Sequence, residues 1–387
     1  MTSETKVNTL LMKYFKNAKQ TYGAVSKANL GFSETLEFAL ALDTTGSMAS
    51  SGKMDALKVA ANDFIDTVFD AKDKGADVKG AIVPFAQYVN VGLAQKGQSW
   101  LSVPKNIDTR VTTEVEKDET PVIGQTNCRN ECWSAHTINH AAQNGGCHTN
   151  DGVQSCWPGV PAWTQHVAAG CNNVCDPVYG PTVKVKVKET TGELITWQGC
   201  VGSRNDPLNV KDASYTTRIP GLLRVQCSAE LQPLTDNRTT LKNKINSLYP
   251  QGETYMPEGV MWGTRVLTPI APFKEGGTIA KGKRPIRKVL ILMTDGINTL
   301  SPSFPLHDQA DTAQADTYTR QACIEAKSLA MDIFTISFGA GVSTPVKDML
   351  EECATHPTQY FHADNAAALK ESFQDIADQL LNIRLSQ

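Results

Sequence analysis

LEFALALDTTGSM, residues 36–48, runs from an apolar stretch straight into a cluster of side-chain oxygens. Phe38 to Leu42 reads as a buried strand, and Asp43, Thr44, Thr45, Gly46 and Ser47 follow without a spacer. A plain polar turn uses the same residue types. In open α/β sheets, however, ligands sit beyond the carboxyl ends of the strands. Asp43, Thr45 and Ser47 alternate, so a tight loop can turn all three side chains to one side. Hard oxygen donors of this kind suit Mg²⁺ better than a softer metal.

The residues around this stretch supply the rest of a doubly wound, mostly parallel, Rossmann-like α/β pattern. Met54, Leu57, Ala61, Phe64, Ile65 and Val68 recur at helical spacing within 53–72. Val78–Phe85 and Tyr88–Leu93, separated by a short turn, predict an antiparallel hairpin at a sheet edge, with Pro84 tolerated there. Further on, helices are expected over Arg238–Leu248, Pro257–Leu267, Asp308–Ala330, Pro345–Ala354 and Asn365–Ile383. Lys288–Met293, the most apolar strand, reads as central and parallel. Asp332–Phe338 and a short edge strand, Tyr360–His362, complete the alternation of strands and helices.

Between 101 and 219 the regular periodicity gives way to Cys, Gly, Asn, Trp and His. The expected organisation is therefore an N-terminal amphipathic segment (1–30), a first half of the α/β domain (31–100), a cysteine-rich insertion (101–219) and a second half (220–387). Lys184–Lys188 alternates Lys and Val, and with a turn at Thr190–Glu193 it predicts a hairpin to Leu194–Gln198. Six of the chain's ten cysteines cluster between 128 and 175: Cys128, Cys132, Cys147, Cys156, Cys171 and Cys175. Their spacing is near-palindromic, and six cysteines permit 15 pairings, so none is assigned among them. Outside this cluster, Cys200–Cys227 and Cys323–Cys353 are the natural pairs. Zinc bound by Cys128, Cys132, Cys171 and Cys175 with His136, His140, His148 or His166 is the competing reading. It carries less weight, because an even, clustered set of cysteines fits an oxidising compartment.

The net charge of −3 over 387 residues argues against a nucleic-acid partner, because phosphate binding wants a concentrated basic face. The nearest basic run, Lys281–Lys288, reads as a solvated loop. Residues 1–30 contain no signal-peptide core and no membrane-length apolar run. Combined with the cysteines, this leads to the expectation that the true start lies upstream of Met1 and that an anchor is absent from this chain. His307, His356, Glu253 and Glu258 read as surface residues, although either glutamate would be near enough to a metal to complete its shell.

Two further loops join Asp43. Lys288–Met293 ends in Thr294-Asp295-Gly296, which brings a second carboxylate to the same sheet edge. Gly252-Glu253-Thr254 offers another hydroxyl. With this set the chain resembles a von Willebrand factor A domain carrying a metal-ion-dependent adhesion site. The resemblance implies that Asp43, Thr45 and Ser47, Thr254, and Asp295 hold one Mg²⁺, with Mn²⁺ or Ca²⁺ as alternatives. It also implies that a partner protein completes the coordination with a carboxylate.

A closer resemblance runs through separated blocks in order: ETLEFALALDTTGSM (34–48), GAIVPFAQYVNVG (80–92), WQGCVGSR (197–204), QPLTDNRTTLKNKI (232–245), MPEGVMWGTRVLTP (256–269), KVLILMTDGIN (288–298) and the C-terminal DQLLNIRLSQ (378–387). These are similar to TadG-like proteins of bacterial tight-adherence (Flp) pilus systems. That implies a non-enzymatic protein of the cell envelope, periplasmic or at the surface, whose partners are pilus-system or other envelope proteins. A surface adhesin for a host or substratum ligand is the second class. The remote alternative is an aspartyl-phosphate enzyme with Asp43 as nucleophile, since DTTGS resembles the phosphorylation loop of P-type ATPases. The absence of a lysine at the loop's second position argues against it.

Overall fold

The computed structural model describes residues 35–73, 75–140, 146–150, 153–157, 163–278 and 285–382. The segment 1–30 lies outside the described residues. The described residues divide into two compact units: one takes in those up to Ile107 and from Ile195 onward, and the other those within Asp108–Leu194.

The first unit is α/β, with a six-stranded sheet. Its strands are β1 (Thr35–Asp43), β2 (Asp77–Phe85), β3 (Gln232–Thr235), β4 (Ile286–Thr294), β5 (Met331–Phe338) and β6 (Tyr360–Ala363). Their spatial order is β3-β2-β1-β4-β5-β6, parallel throughout except for the short antiparallel β3. All nine residues of β1 are buried, as expected of a central strand covered on both faces. Alternate side chains divide between two cores. Leu36, Phe38, Leu40 and Leu42 face α1 (Lys53–Asp73), α2 (Arg238–Asn246) and α6 (Ala366–Asn382), whereas Ala39 and Ala41 face α3 (Met256–Leu267), α4 (Thr312–Ser328) and α5 (Thr344–Cys353).

The small residues on the second face have a purpose. Helix α3 is buried along its whole length, and it approaches the sheet closely through Gly259 and Gly263. A Cβ on Gly263 would come within 2.3 Å of Leu290 Cδ1, and one on Gly259 within 2.5 Å of Phe85. On the opposite face Phe38, Phe64 and Phe373 stack edge to face, with ring centroids 5.3 and 5.9 Å apart. Each such fully buried side chain contributes about 1.5–3 kcal/mol. Disulfides join Cys200 to Cys227 and Cys323 to Cys353, the second linking α4 to α5.

Several expectations are corrected. Val78–Phe85 and Tyr88–Leu93 do not form an edge hairpin. β2 is internal, parallel to β1, and its outer flank is taken by β3. Val78, Ala81, Ile82, Val83 and Phe85 are all fully buried, a run that marks a strand covered on both faces rather than an edge. Val89–Asn90 instead pairs with Cys200–Val201. Helix α4 begins at Thr312 rather than Asp308 because the Asp311 carboxylate caps it, accepting from Gln314 N.

The second unit is built differently. Four antiparallel strand pairs follow one another: Val111–Glu119 with Val183–Thr191, Val122–Trp133 with Gly170–Tyr179, His136–His140 with Trp163–Val167, and Gly146–Asn150 with Val153–Trp157. Thus Lys184–Lys188 pairs with a strand some 70 residues upstream, not with Leu194–Gln198. Complementary charges explain the choice, since Lys184, Lys186 and Lys188 stand opposite Asp118, Glu116 and Glu114. Among the described residues, none between 108 and 194 belongs to a hydrophobic core. Disulfides Cys128–Cys175 and Cys132–Cys171 cross-link the unit, and Cys147 stands opposite Cys156 in backbone register. The expected insertion, 101–219, is wider than this unit: Leu101, Trp197, Val201, Val210 and Ile219 are buried in the core of the first.

Candidate functional site

The sheet order reverses between β1 and β4, and the carboxyl ends of those two strands carry Asp43 and Asp295. Such a switch point leaves a crevice in which neighbouring loops diverge. Thr45, after β1, places its N–H 2.8 Å from Asp43 Oδ1. Its hydroxyl lies 2.9 Å from Ser47 Oγ. Ser47 in turn donates to Asp295 Oδ1 at 2.6 Å. Asp43 Oδ2 accepts from the Thr294 hydroxyl at 2.6 Å. Asp43, Thr45, Ser47 and Asp295 therefore form one hydrogen-bonded network across two strand ends.

The third loop is docked by its backbone. Gly46 N donates to Gly252 O at 2.9 Å, and Gln251 N to Thr44 O at 2.7 Å. Gly252 has φ +79, a left-handed conformation that glycine adopts without a Cβ penalty. Gln87 Oε1 holds the N–H of the exposed Glu253. Thr254 is buried and bonded through its backbone to Thr299, which accepts from Thr254 N at 2.8 Å and donates its own N–H to Thr254 O at 2.9 Å. The Thr254 hydroxyl is outside the Asp43–Asp295 network, but its loop lies against the Thr44–Gly46 loop.

Two carboxylates held this way repel one another. Burial, followed by the neighbouring Asp295 charge, pushes Asp43 up to about 6, despite hydrogen bonds from Thr294 and Thr45 that pull the other way. Asp295 finds a partner in Lys53, whose Nζ lies 2.8 Å from Oδ2. Lys53 was missed by sequence reasoning. It opens α1 ten residues after Asp43, and nothing in the spacing marks it apart from other helix lysines. Thr294 was passed over for its neighbour Asp295, although a threonine closing an apolar strand is an ordinary signal for a carboxylate-orienting hydroxyl.

Beneath the Thr254 loop lies a second polar network, and it corrects two readings. His307 and Glu258, expected at the surface, are 0% and 2% exposed. Ser203 Oγ bridges them, 2.9 Å from His307 Nε2 and 2.7 Å from Glu258 Oε1. The Trp262 indole donates to Glu258 Oε2 at 2.6 Å. His307 Nδ1 bonds the carbonyl of Gln87, the residue that holds Glu253. Glu258 is therefore a buried support and does not reach the candidate site.

No family model matches the chain. Over 173 residues it is 30% identical to a UPF0353 protein of Mycolicibacterium paratuberculosis, an overlap of 41% of this chain and 48% of that protein. Among solved structures, it resembles the vWF domain of the type V pili tip protein Mfa5 from Porphyromonas gingivalis, with TM-score 0.45 and 10% identity over 92% of this chain and 97% of that one. It also resembles the pilus adhesin SpaC from Lactobacillus rhamnosus GG, with TM-score 0.42 and 11% identity over 90% of this chain and 31% of the adhesin. The chain thus spans about half the length of the UPF0353 relative and about a third of SpaC.

Proposed function

We propose that this chain is a von Willebrand factor A protein that binds another protein through Mg²⁺ in the bacterial cell envelope, as a component of tight-adherence (Flp) pilus assembly. The observation that carries the metal part is the convergence of two buried carboxylates and two hydroxyls, with Ser47 Oγ 2.6 Å from Asp295 Oδ1 at a sheet switch point. The donors are all oxygen, and repulsion between Asp43 and Asp295 favours a cation between them, so the residues fit a hard divalent ion. Asp43, Thr45, Ser47, Thr254 and Asp295 would hold it. Bound there, the ion supplies positive charge and open positions for a partner's carboxylate.

The protein's own part is positioning. Thr294 and Thr45 N–H fix both oxygens of Asp43, and the Gly252 carbonyl pins the third loop to the first. The same bonds argue against the nucleophile reading, because Asp43 is fully buried with each oxygen already engaged. The four disulfides among the described residues agree with an oxidising location. Recovery of partners from envelope extracts, with and without EDTA, tests the whole reading. Divalent-dependent capture of pilus-system proteins supports it, and metal-independent capture contradicts it. Divalent-dependent capture from a parallel host-surface extract, with none from the envelope extract, favours the adhesin reading.

A further inference from the structure

The Val111–Glu119/Val183–Thr191 ribbon has two free edges, because its sheet contains just those two strands among the described residues. Each strand is nine residues long, and the pairing runs from Val183↔Glu119 to Thr191↔Val111 without a bulge. Neither strand contains proline. Natural proteins usually blunt such edges with bulges, prolines or like charges. Here the charges differ by edge: Glu114, Glu116 and Asp118 line one strand, and Lys184, Lys186 and Lys188 line the other, all on the same face. The residues are solvent-facing, with Lys184 72% and Glu116 57% exposed. A guard against association would put one sign on both edges; this arrangement makes the two edges complementary.

We propose that the chain self-associates head to tail through this ribbon. The Val183–Thr191 edge of one copy pairs antiparallel with the Val111–Glu119 edge of the next, in the register already used within each ribbon. Every lysine then lies between two acids, and the backbone groups of both free edges are satisfied. Isologous pairing is disfavoured, because lysine strand against lysine strand, or acid strand against acid strand, sets like charges opposite each other. The contact is heterologous and does not close on itself, so it generates chains of copies rather than a symmetric dimer. On the other face the Val187–Val115 rung repeats from copy to copy, beside the ion pair of Lys117 with Glu189.

Sedimentation velocity of the full, oxidised chain in EDTA tests this independently of the metal site. The weight-average mass is expected to rise with concentration. The association should weaken by about tenfold or more between 0.1 and 1 M salt, as the screening length falls from about 10 to 3 Å. The triple variant Lys184→Glu/Lys186→Glu/Lys188→Glu should stay monomeric. Adding Glu114→Lys/Glu116→Lys/Asp118→Lys to it restores every rung within and between ribbons, and association should return. Hydrogen exchange on the unaltered protein guards against a variant that misfolds: amides in 111–119 and 183–191 should gain protection with concentration, and those in β4 should not. A chain monomeric at every concentration and salt overturns the proposal, as does association that persists in the triple variant, fails to return in the six-fold one, or leaves the ribbon amides unprotected.

Discussion

The two units hold together by opposite means. In the α/β unit a sheet is sandwiched between helices, and the central strand is buried at all nine positions. In the ribbon unit, among the described residues, no side chain enters a core; cross-strand pairs and disulfides do the holding. A two-stranded ribbon is marginal in water unless something else restrains it. Cys132 and Cys171 supply that restraint as directly opposed partners. A site that must hold two repelling carboxylates in fixed positions therefore belongs in the first unit, and the second is built to present long exposed edges.

The largest effect should fall on the core. Phe64→Ala removes the ring that packs between Phe38 and Phe373, and should cost about 3–5 kcal/mol in denaturant unfolding of the α/β unit. Protection of the ribbon amides should be unaltered while the core remains folded. Next is the Cys323–Cys353 bridge, which closes a loop of 30 residues between α4 and α5. Its removal as Cys323→Ser/Cys353→Ser should cost about 2–4 kcal/mol.

These ranks also mark what was legible in the chain. The buried strands announced themselves as apolar runs, and α1 and α6 through their spacing, because burial against a sheet demands a period the eye can count. β2 does not read as an internal strand, because its outer neighbour is β3, a strand 150 residues away. The ribbon was harder still. Cys128/Cys175, Cys132/Cys171 and Cys147/Cys156 share one midpoint in the sequence, which is how residues facing each other across an antiparallel hairpin must be spaced. The palindrome is therefore the sequence signal for the Cys128–Cys175 and Cys132–Cys171 bridges. At the site, Asp43 and Asp295 stood out as acids ending apolar strands. Lys53, Ser203 and His307 did not, because their partners come from distant loops.

A smaller effect separates site from scaffold. Lys53→Met leaves Asp295 without its ion-pair partner, and should lower the stability of the metal-free protein by about 1–3 kcal/mol. Excess Mg²⁺ should recover more stability in this variant than in the unaltered chain, read as the shift in Tm on adding the ion. Smaller again is a pH effect. Burial holds His307 below its ordinary 6.5, so the unfolded chain binds the proton more readily. Its contribution to stability is complete above about pH 6.5 and is lost as pH falls below that value, by at most about 1.4 kcal/mol per pH unit. His307→Gln should flatten that part of the stability–pH profile. The smallest effect distinguishes the two units most cleanly. Removing both Cys128–Cys175 and Cys132–Cys171 should speed amide exchange through the ribbon while shifting core unfolding by no more than about 0.5 kcal/mol.

Three loops, those after β1 and β4 and the one ahead of α3, are proposed to hold one hard divalent cation. Electron paramagnetic resonance of free Mn²⁺, titrated against the EDTA-stripped and dialysed protein, measures this directly. The expected result is loss of one equivalent of free-ion signal per chain, reversed by Mg²⁺ and abolished in Asp43→Ala and Asp295→Ala variants that retain the fold. A free-ion signal that rises in full from the first addition, or uptake that survives both substitutions, would contradict it.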